Sequence, residues 1–278
     1  MHTQDEKPSV VLICHEQDRL DTEGLASWLA NSLRLAGLII IRDPRSRLWR
    51  KAKREITRVG WLRFLDVLAF RAYARLRLAH RDQAWKDAEV ERLRRRYPAD
   101  LAAVPRIVVS SPNSTESREF IERLQPDLAI ARCKVILKQS IFGVPRVGTF
   151  VLHPGICPEY RNAHGCFWAL TRRDFDRVGM TLLRVDPGID TGPIFLHGTY
   201  GFDEVGESHS IIQWRTVTEN LDAIANILAA LCRGDEVKPI AVEGRQSAVW
   251  GQPQLTAYLR WKWNARRRRD ASRIPALS

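Results

Sequence analysis

Ser9-Val10-Val11-Leu12-Ile13-Cys14 and Gly37-Leu38-Ile39-Ile40-Ile41 are two short, β-branched runs with almost no polar residue inside them. Strands buried on both faces read this way, because polar alternation is lost when neither face meets water. Between them, about Leu20 to Leu35 reads as a helix, with Leu25, Leu29 and Leu33 on one face. Strand, helix and strand in this order predict a parallel βαβ unit in a sheet covered by helices on both sides. The pair of runs thus assigns the chain to the α/β class.

Working outward, Arg106-Ile107-Val108-Val109-Ser110 is a predicted strand, and Ser114 or Thr115 caps a helix through about Leu124, with Glu116 suiting its dipole. Asp127 to Ala131 and Val147 to Leu152 are the next strands, the second ending at His153. Gly165 to Asp174 reads as a helix, Gly179 to Val185 as a strand running into a loop at Asp186, and Ile194 to Tyr200 as a further strand. Ser210 to Cys232 is predicted as one long amphipathic helix, with Ile211, Trp214, Val217, Leu221, Ile224 and Leu228 on its buried side. An α/β core over residues 1–235 is expected, followed by a short C-terminal appendage and basic tail over 236–278.

Arg45 to Tyr97 is unlike its surroundings. Trp61, Leu62, Leu65, Leu68 and Ala69 recur at helical spacing among arginines, and the segment is too long for a connecting loop. A helical hairpin inserted at about 45–100 is the expectation.

The formal charge of +12 has two sources. Arg42 to Asp100 holds 18 Lys/Arg against 8 Asp/Glu, and Trp261 to Ser278 holds 6 against one, so the remainder is close to neutral. The aromatic residues Trp49, Trp61, Phe64, Phe70 and Tyr73 lie among the insertion's arginines. Such a basic helix suits nucleic acid, an anionic membrane surface, a protein partner, or plain solvation outside the core. Arg266 to Arg269 reads as a disordered tail. Five scattered cysteines with no CxxC pair suit reduced thiols and a cytoplasmic setting. No secretory leader is visible, and no apolar run approaches the ~20 residues of a membrane-spanning helix.

The chemistry concentrates between His153 and Gly192. The stretch opens with His153-Pro154-Gly155-Ile156-Cys157-Pro158-Glu159-Tyr160-Arg161-Asn162 and closes with Asp186-Pro187-Gly188-Ile189-Asp190-Thr191-Gly192. His153 and Asp190 each follow a predicted strand, and ligands of open α/β sheets bind beyond the carboxyl ends of strands. One cleft can therefore hold both. Alone, Asp186 and Asp190 also suit a turn around Gly188.

From about Asp127 to Phe195 the chain resembles the formyltransferase family, whose members include methionyl-tRNA, glycinamide ribonucleotide and sugar-amine formyltransferases. The family pattern is Asn-x-His, a proline-containing loop, Tyr-Arg-Gly or similar, and then Asp-x-Gly-x-Asp-Thr-Gly. Here it reads Val151-Leu152-His153, Tyr160-Arg161-Asn162 and the complete Asp186–Gly192 motif, with 37 positions from His153 to Asp190. The resemblance implies a Rossmann-like core with a mostly parallel sheet and a one-carbon transferase using 10-formyltetrahydrofolate. It implies His153 and Asp190 as catalytic residues, and Ile136, Leu137, Gly155, Asp186 and Gly188 beside the folate. Tyr160, Arg161 and Asn162 would face an amine substrate, a small metabolite or amino sugar.

Formyl transfer to an amine passes through a tetrahedral intermediate with a developing oxyanion. A histidine can take the amine proton, a carboxylate can orient the imidazole, and one donor to the oxyanion contributes ~3 kcal/mol in a well-studied acyl transfer. The family's amide position holds Val151, which has no donor. A backbone N–H of the Pro154–Ile156 loop, or Asn162, could replace it. A related formyl hydrolase or acyltransferase, and a non-catalytic binding protein acting through the basic insertion, stand as alternatives. Arg161 would serve the substrate or bond loop carbonyls. His15-Glu16-Gln17 lacks a glycine-rich phosphate loop. His153, His164, Cys157 and Cys166 match no zinc spacing, so no metal is expected.

Overall fold

The computed structural model describes residues 7–42, 56, 57 and 60–272. The expected helix start near Arg45, and Trp49 with it, lies outside the described residues.

Strands β1 (Ser9–His15), β2 (Arg34–Ile41), β3 (Arg106–Val109), β4 (Leu128–Arg132) and β5 (Gly148–His153) are joined by parallel pairing. Two further strands of the same sheet, Met180–Arg184 and Ile194–Gly198, continue beyond β5 as antiparallel neighbours. In chain-order labels the sheet runs β3-β2-β1-β4-β5-β7-β8, where β6 (Arg161–Asn162) belongs to a separate two-stranded ribbon with β9 (Val249–Trp250). The order reverses between β1 and β4, the switch point of a Rossmann-like sheet.

Alternation along each strand feeds two cores. Val10 and Leu12 pack with Leu38, Phe150, Leu152 and Leu182 on one face; Val11 and Ile13 pack with Ile39, Phe120, Ile121 and Ala131 on the other. Helices cover both faces, so the strands read as continuously apolar. The mostly parallel α/β class is as expected.

Four local readings are corrected. The first helix is shorter: a π-helical turn, Leu20–Leu25, leads into α1 (Ala26–Ser32), and Leu33 is already extended. The sheet wins those residues because Arg34 N donates to Pro8 O at 2.9 Å and Leu35 pairs with Val10. Over its described residues 61–96 the basic segment forms no hairpin. Helix α2 (Trp61–Tyr73), a π-helical turn (Ala74–Leu78) and α3 (Ala79–Arg96) follow with right-handed helical backbone at both joints. Helix α3 lies between the parallel strands β2 and β3 in the chain, and it buries Val90 and Leu93 completely in the main core. It is therefore the crossover helix of that unit rather than an excursion.

The predicted helix over Ser210 to Cys232 is two helices, α7 (His209–Thr218) and α8 (Leu221–Arg233); α4, α5 and α6 are Thr115–Leu124, Gln139–Phe142 and Gly165–Arg172. Asn220 breaks it, donating from its side-chain amide to Thr216 O at 2.8 Å and Thr199 O at 3.1 Å. Finally, the arginine run is ordered in helix α9 (Leu255–Ser272), where Arg268 holds Glu204 at 2.7 Å. That helix packs on α2 and α6, with Tyr258 and Trp261 buried. No helix among the described residues is long and apolar enough to cross a membrane.

Candidate active site

Strand β5 delivers His153 at the carboxyl edge of the sheet, 4% exposed. Its Nε2 lies 2.8 Å from the carbonyl oxygen of Tyr160. A carbonyl only accepts, so Nε2 carries the hydrogen, and the ring's other nitrogen, Nδ1, is the one that can accept a proton. Nδ1 is 3.5 Å from Oδ2 of Asp190. The ring is thus fixed in one tautomer, with a carboxylate placed to stabilise the imidazolium that forms when Nδ1 takes a proton.

The Pro154–Arg161 loop must turn tightly to bring that carbonyl back to the ring. Gly155 makes the turn possible: a Cβ there would sit 2.7 Å from Tyr160 O and 2.9 Å from both His153 Nε2 and Gly165 Cα. Thr181 on β7 locks the loop from below. Its Oγ1 accepts from Cys157 N at 3.0 Å and donates to Gly155 O at 2.7 Å. Burial pushes the Cys157 thiol up, so it stays protonated as a small apolar neighbour.

Asp190 has left-handed backbone (φ 51°), tolerable for aspartate, and its Oδ2 accepts from Asn162 N at 2.7 Å. Asp186 carries the turn instead: its carboxylate accepts from Gly188 N at 3.0 Å and from Thr191 Oγ1 at 2.8 Å. Gly188 is needed because a Cβ there would meet Thr191 Oγ1 at 1.9 Å. Arg161 braces the same loop by donating from Nη1 to Ile189 O at 3.1 Å, while its buried Nε has no partner.

The structure therefore redistributes the expected roles. His153, Asp190, Gly155, Arg161 and Asn162 come together. Tyr160 does not offer its side chain, which is 2% exposed, stacks on Trp250 and donates from its hydroxyl to Asp174 at 2.8 Å. Its contribution is the carbonyl. Leu137 turns into the apolar core with Val11 and Ile141, whereas Ile136 is 63% exposed in the loop after β4, next to β5 in the sheet. The Asn162 amide donates to Trp250 O at 2.6 Å, which holds the β6–β9 ribbon over the loop.

Val151 shares the His153 face of β5 and packs against the cluster of Cys157, Leu183 and Ile194. No polar group at that position replaces an amide. Within the loop, however, the N–H of Ile156 makes no hydrogen bond to a described residue, although Ile156 is 4% exposed. A buried, unspent donor two residues beyond His153's neighbour Pro154 suits an oxyanion.

Sequence reasoning missed Thr181, Trp250 and the Tyr160 carbonyl. Thr181 had a signal, being the one hydroxyl in an apolar strand. Trp250 stacks on Tyr160 at 5.6 Å and Trp168 at 5.2 Å from far along the chain. Its indole donates to Glu159 O at 2.7 Å, and Arg245 grips the Glu159 carboxylate at 2.6 Å. Beside the loop, His164 and Gln213 each leave one buried polar atom unpaired, and burial, with Lys134 and Arg71 adding, pushes His164 down to about 4. Among the described residues, no group of three His, Cys, Asp or Glu is placed to hold a metal ion.

A family model described as formyl transferase matches residues 80–227. Methionyl-tRNA formyltransferase of Bacteroides thetaiotaomicron is 30% identical over 141 residues, covering 48% of this chain and 41% of that protein. The enzyme of the same name from Thermotoga maritima is 28% identical over 49% of this chain and 44% of its own length. The chain spans less than half the length of the curated relatives it matches. Among solved structures, glycinamide ribonucleotide transformylase 1 from Symbiobacterium toebii superposes with a TM-score of 0.51 at 14% identity, over 90% of this chain and 98% of that one. A 4-N formyltransferase from Francisella tularensis gives 0.52 at 9% identity, over 93% and 87%. These two likenesses concern the fold alone. The matched domain covers more than half of the chain and contains both His153 and Asp190: this protein belongs to the formyl transferase family.

Proposed function

We propose that this chain transfers a formyl group from 10-formyltetrahydrofolate to the amine of a small metabolite or amino sugar. The observation that carries the reading is the fixed tautomer of His153, with Nε2–H on the Tyr160 carbonyl and Nδ1 facing Asp190. The folate derivative, when bound, supplies the formyl carbon as electrophile. His153 receives the proton that the attacking amine sheds, at Nδ1, and Asp190 stabilises the resulting charge. The same imidazolium can return that proton to the folate nitrogen as the old carbon–nitrogen bond breaks, so the ring ends as it began. Ile156 N–H is the donor for the oxyanion that Val151 cannot supply. Ile136 and the Asp186–Asp190 turn form the walls available to the pterin, and Arg161 and the β6–β9 ribbon the walls on the amine side.

Release of tetrahydrofolate, followed by absorbance across a panel of amines, tests the reading. Release only with both formyl donor and amine present supports it. Formate release with no amine present would instead indicate a hydrolase. Folded protein that releases nothing with any amine, while Val151→Asn does, would mean that the cleft has lost formyl transfer.

A further inference from the structure

The helical face formed by α2, the following π-helical turn and α9 has no part in the His153 site. It combines two features that belong together. The first is a stripe of solvent-facing apolar side chains on α2: Trp61, Leu62, Leu65 and Leu68 are 66%, 85%, 55% and 41% exposed. Their spacing places them on one side of the helix, turned away from Phe64, Val67 and Phe70, which are buried. Exposed apolar residues scattered singly need no explanation, but a stripe does.

The second is a cavity of about 450 Å³ where the basic helix meets α9. Arg77, Arg81, Lys262 and Arg266 line it with Tyr258 and Trp263, and no carboxylate is among the lining residues. Arg77, Arg81 and Arg266 form no ion pair with a described residue. Lys262 is 8% exposed, and its ammonium donates only to the carbonyl oxygens of Glu204 (2.6 Å) and Glu207, with no carboxylate in ion-pair reach among the described residues. Of the neighbouring acids, Glu204 is held by Arg268 and by the Trp261 indole and Asp203 accepts from Val205 N, while Asp82 is buried with one carboxylate oxygen making no hydrogen bond. Burial, then Arg81, push Lys262 down to about 8. A buried ammonium in a cavity lined by three guanidiniums and no carboxylate is costly to keep, and an anion in the cavity would lower that cost.

We infer that this face docks on an anionic phospholipid surface, the α2 stripe entering the interface and the cavity holding a phosphoryl headgroup. Charge complementarity selects the occupant: guanidiniums pair with phosphate in two-pronged fashion, and Trp263, 57% exposed at the cavity, and Trp61 are of the type that settles at headgroup depth. A soluble phosphate would fill the cavity but would give the apolar stripe nothing to do.

Cosedimentation of the full chain with phosphatidylcholine vesicles, with and without phosphatidylglycerol, tests the inference. Binding is expected only to the anionic vesicles and should weaken with salt. The triple variant R77Q/R81Q/R266Q should lose affinity by about a hundredfold, and the separate variant L62E/L65E should also release the protein. A cooperative thermal unfolding transition no lower than the parent's would show that both variants fold. No sedimentation with anionic vesicles, or equal sedimentation of parent and triple variant, would overturn the proposal. So would saturable binding of glycerol 3-phosphate, or of a homopolymeric RNA, by a chain that ignores vesicles.

Discussion

The loop pair around His153 and the basic face of α2 and α9 are opposites in how they treat charge. At the loops almost every polar group is matched to a partner inside the chain: His153 to a carbonyl and a carboxylate, Asp190 to Asn162, Asp186 to Thr191, Glu159 to Arg245. On the basic face, Arg77, Arg81 and Arg266 have no ion-pair partner among the described residues, and Lys262 donates to carbonyls and lies over the Trp261 ring at 4.2 Å. The first arrangement fixes one geometry, which is what proton transfer requires. The second leaves binding capacity unspent.

The largest effects should fall where the matching is tightest. His153→Asn removes the proton acceptor and leaves a smaller, neutral polar side chain, and turnover should fall by about 10²–10⁴-fold in kcat. Asp190→Asn keeps an oxygen for the Asn162 N–H but loses the charge beside Nδ1, so its loss should be smaller and lie in kcat rather than in KM for the amine. Equal activity of both variants with the parent would remove the pair from the chemistry.

Next comes the support beneath the site. Arg132 donates to Leu152 O at 2.7 Å, beside His153, and is paired with Asp21 at 3.0 Å, the two side chains 13% and 4% exposed. Burial pushes the Asp21 carboxyl up to about 6 against the pull of Arg132, a sign of how dry the pair is. Asp21→Ala leaves the guanidinium unpaired and should cost about 3–5 kcal/mol in denaturant unfolding. A loss under 1 kcal/mol would mean water reaches Arg132.

A third effect is pH-dependent. His164 is held down to about 4 and His209 well below its ordinary value, both chiefly by burial. The unfolded chain binds these protons near pH 6.5 and the folded chain does not. Stability is therefore full above about 6.5 and falls as pH drops towards 4, by roughly 3 kcal/mol from His164 alone. Unfolding midpoints at pH 7 and pH 4.5 measure it. His209→Phe, into a shell of Phe70, Phe167 and Tyr258, should narrow the gap between the two midpoints.

The same contrast explains what could be read in the sequence. Apolar runs such as Val10–Ile13 and the Asp186–Gly192 motif announce the sheet and the His–Asp pair, because burial and turn chemistry act on residue type. The Tyr160 carbonyl has no signature, since every residue has one. Only the unusual closeness of Gly155 to Gly165, a tertiary fact, betrays it. The break at Asn220 was visible as an amide in a helix, but its partner, Thr199 O, was not. For the basic segment, composition announced the arginines without distinguishing those that pair, such as Arg92 with Glu89, from those that do not.

The smallest effect is expected from those arginines, which have no ion-pair partner among the described residues, and it separates the two regions most sharply. An exposed ion pair contributes about 0–1 kcal/mol, and an exposed arginine with no partner has even that small term missing. R77Q/R81Q/R266Q should therefore change unfolding free energy by no more than about 0.5 kcal/mol per site, and in the stabilising direction, because it relieves repulsion on Lys262. Thermal unfolding at low salt shows the gain most clearly, and added salt should erase it as screening replaces the substitution. Destabilisation instead would mean that the three guanidiniums hold the face together, placing it with the His153 loops as a region whose charges serve the fold.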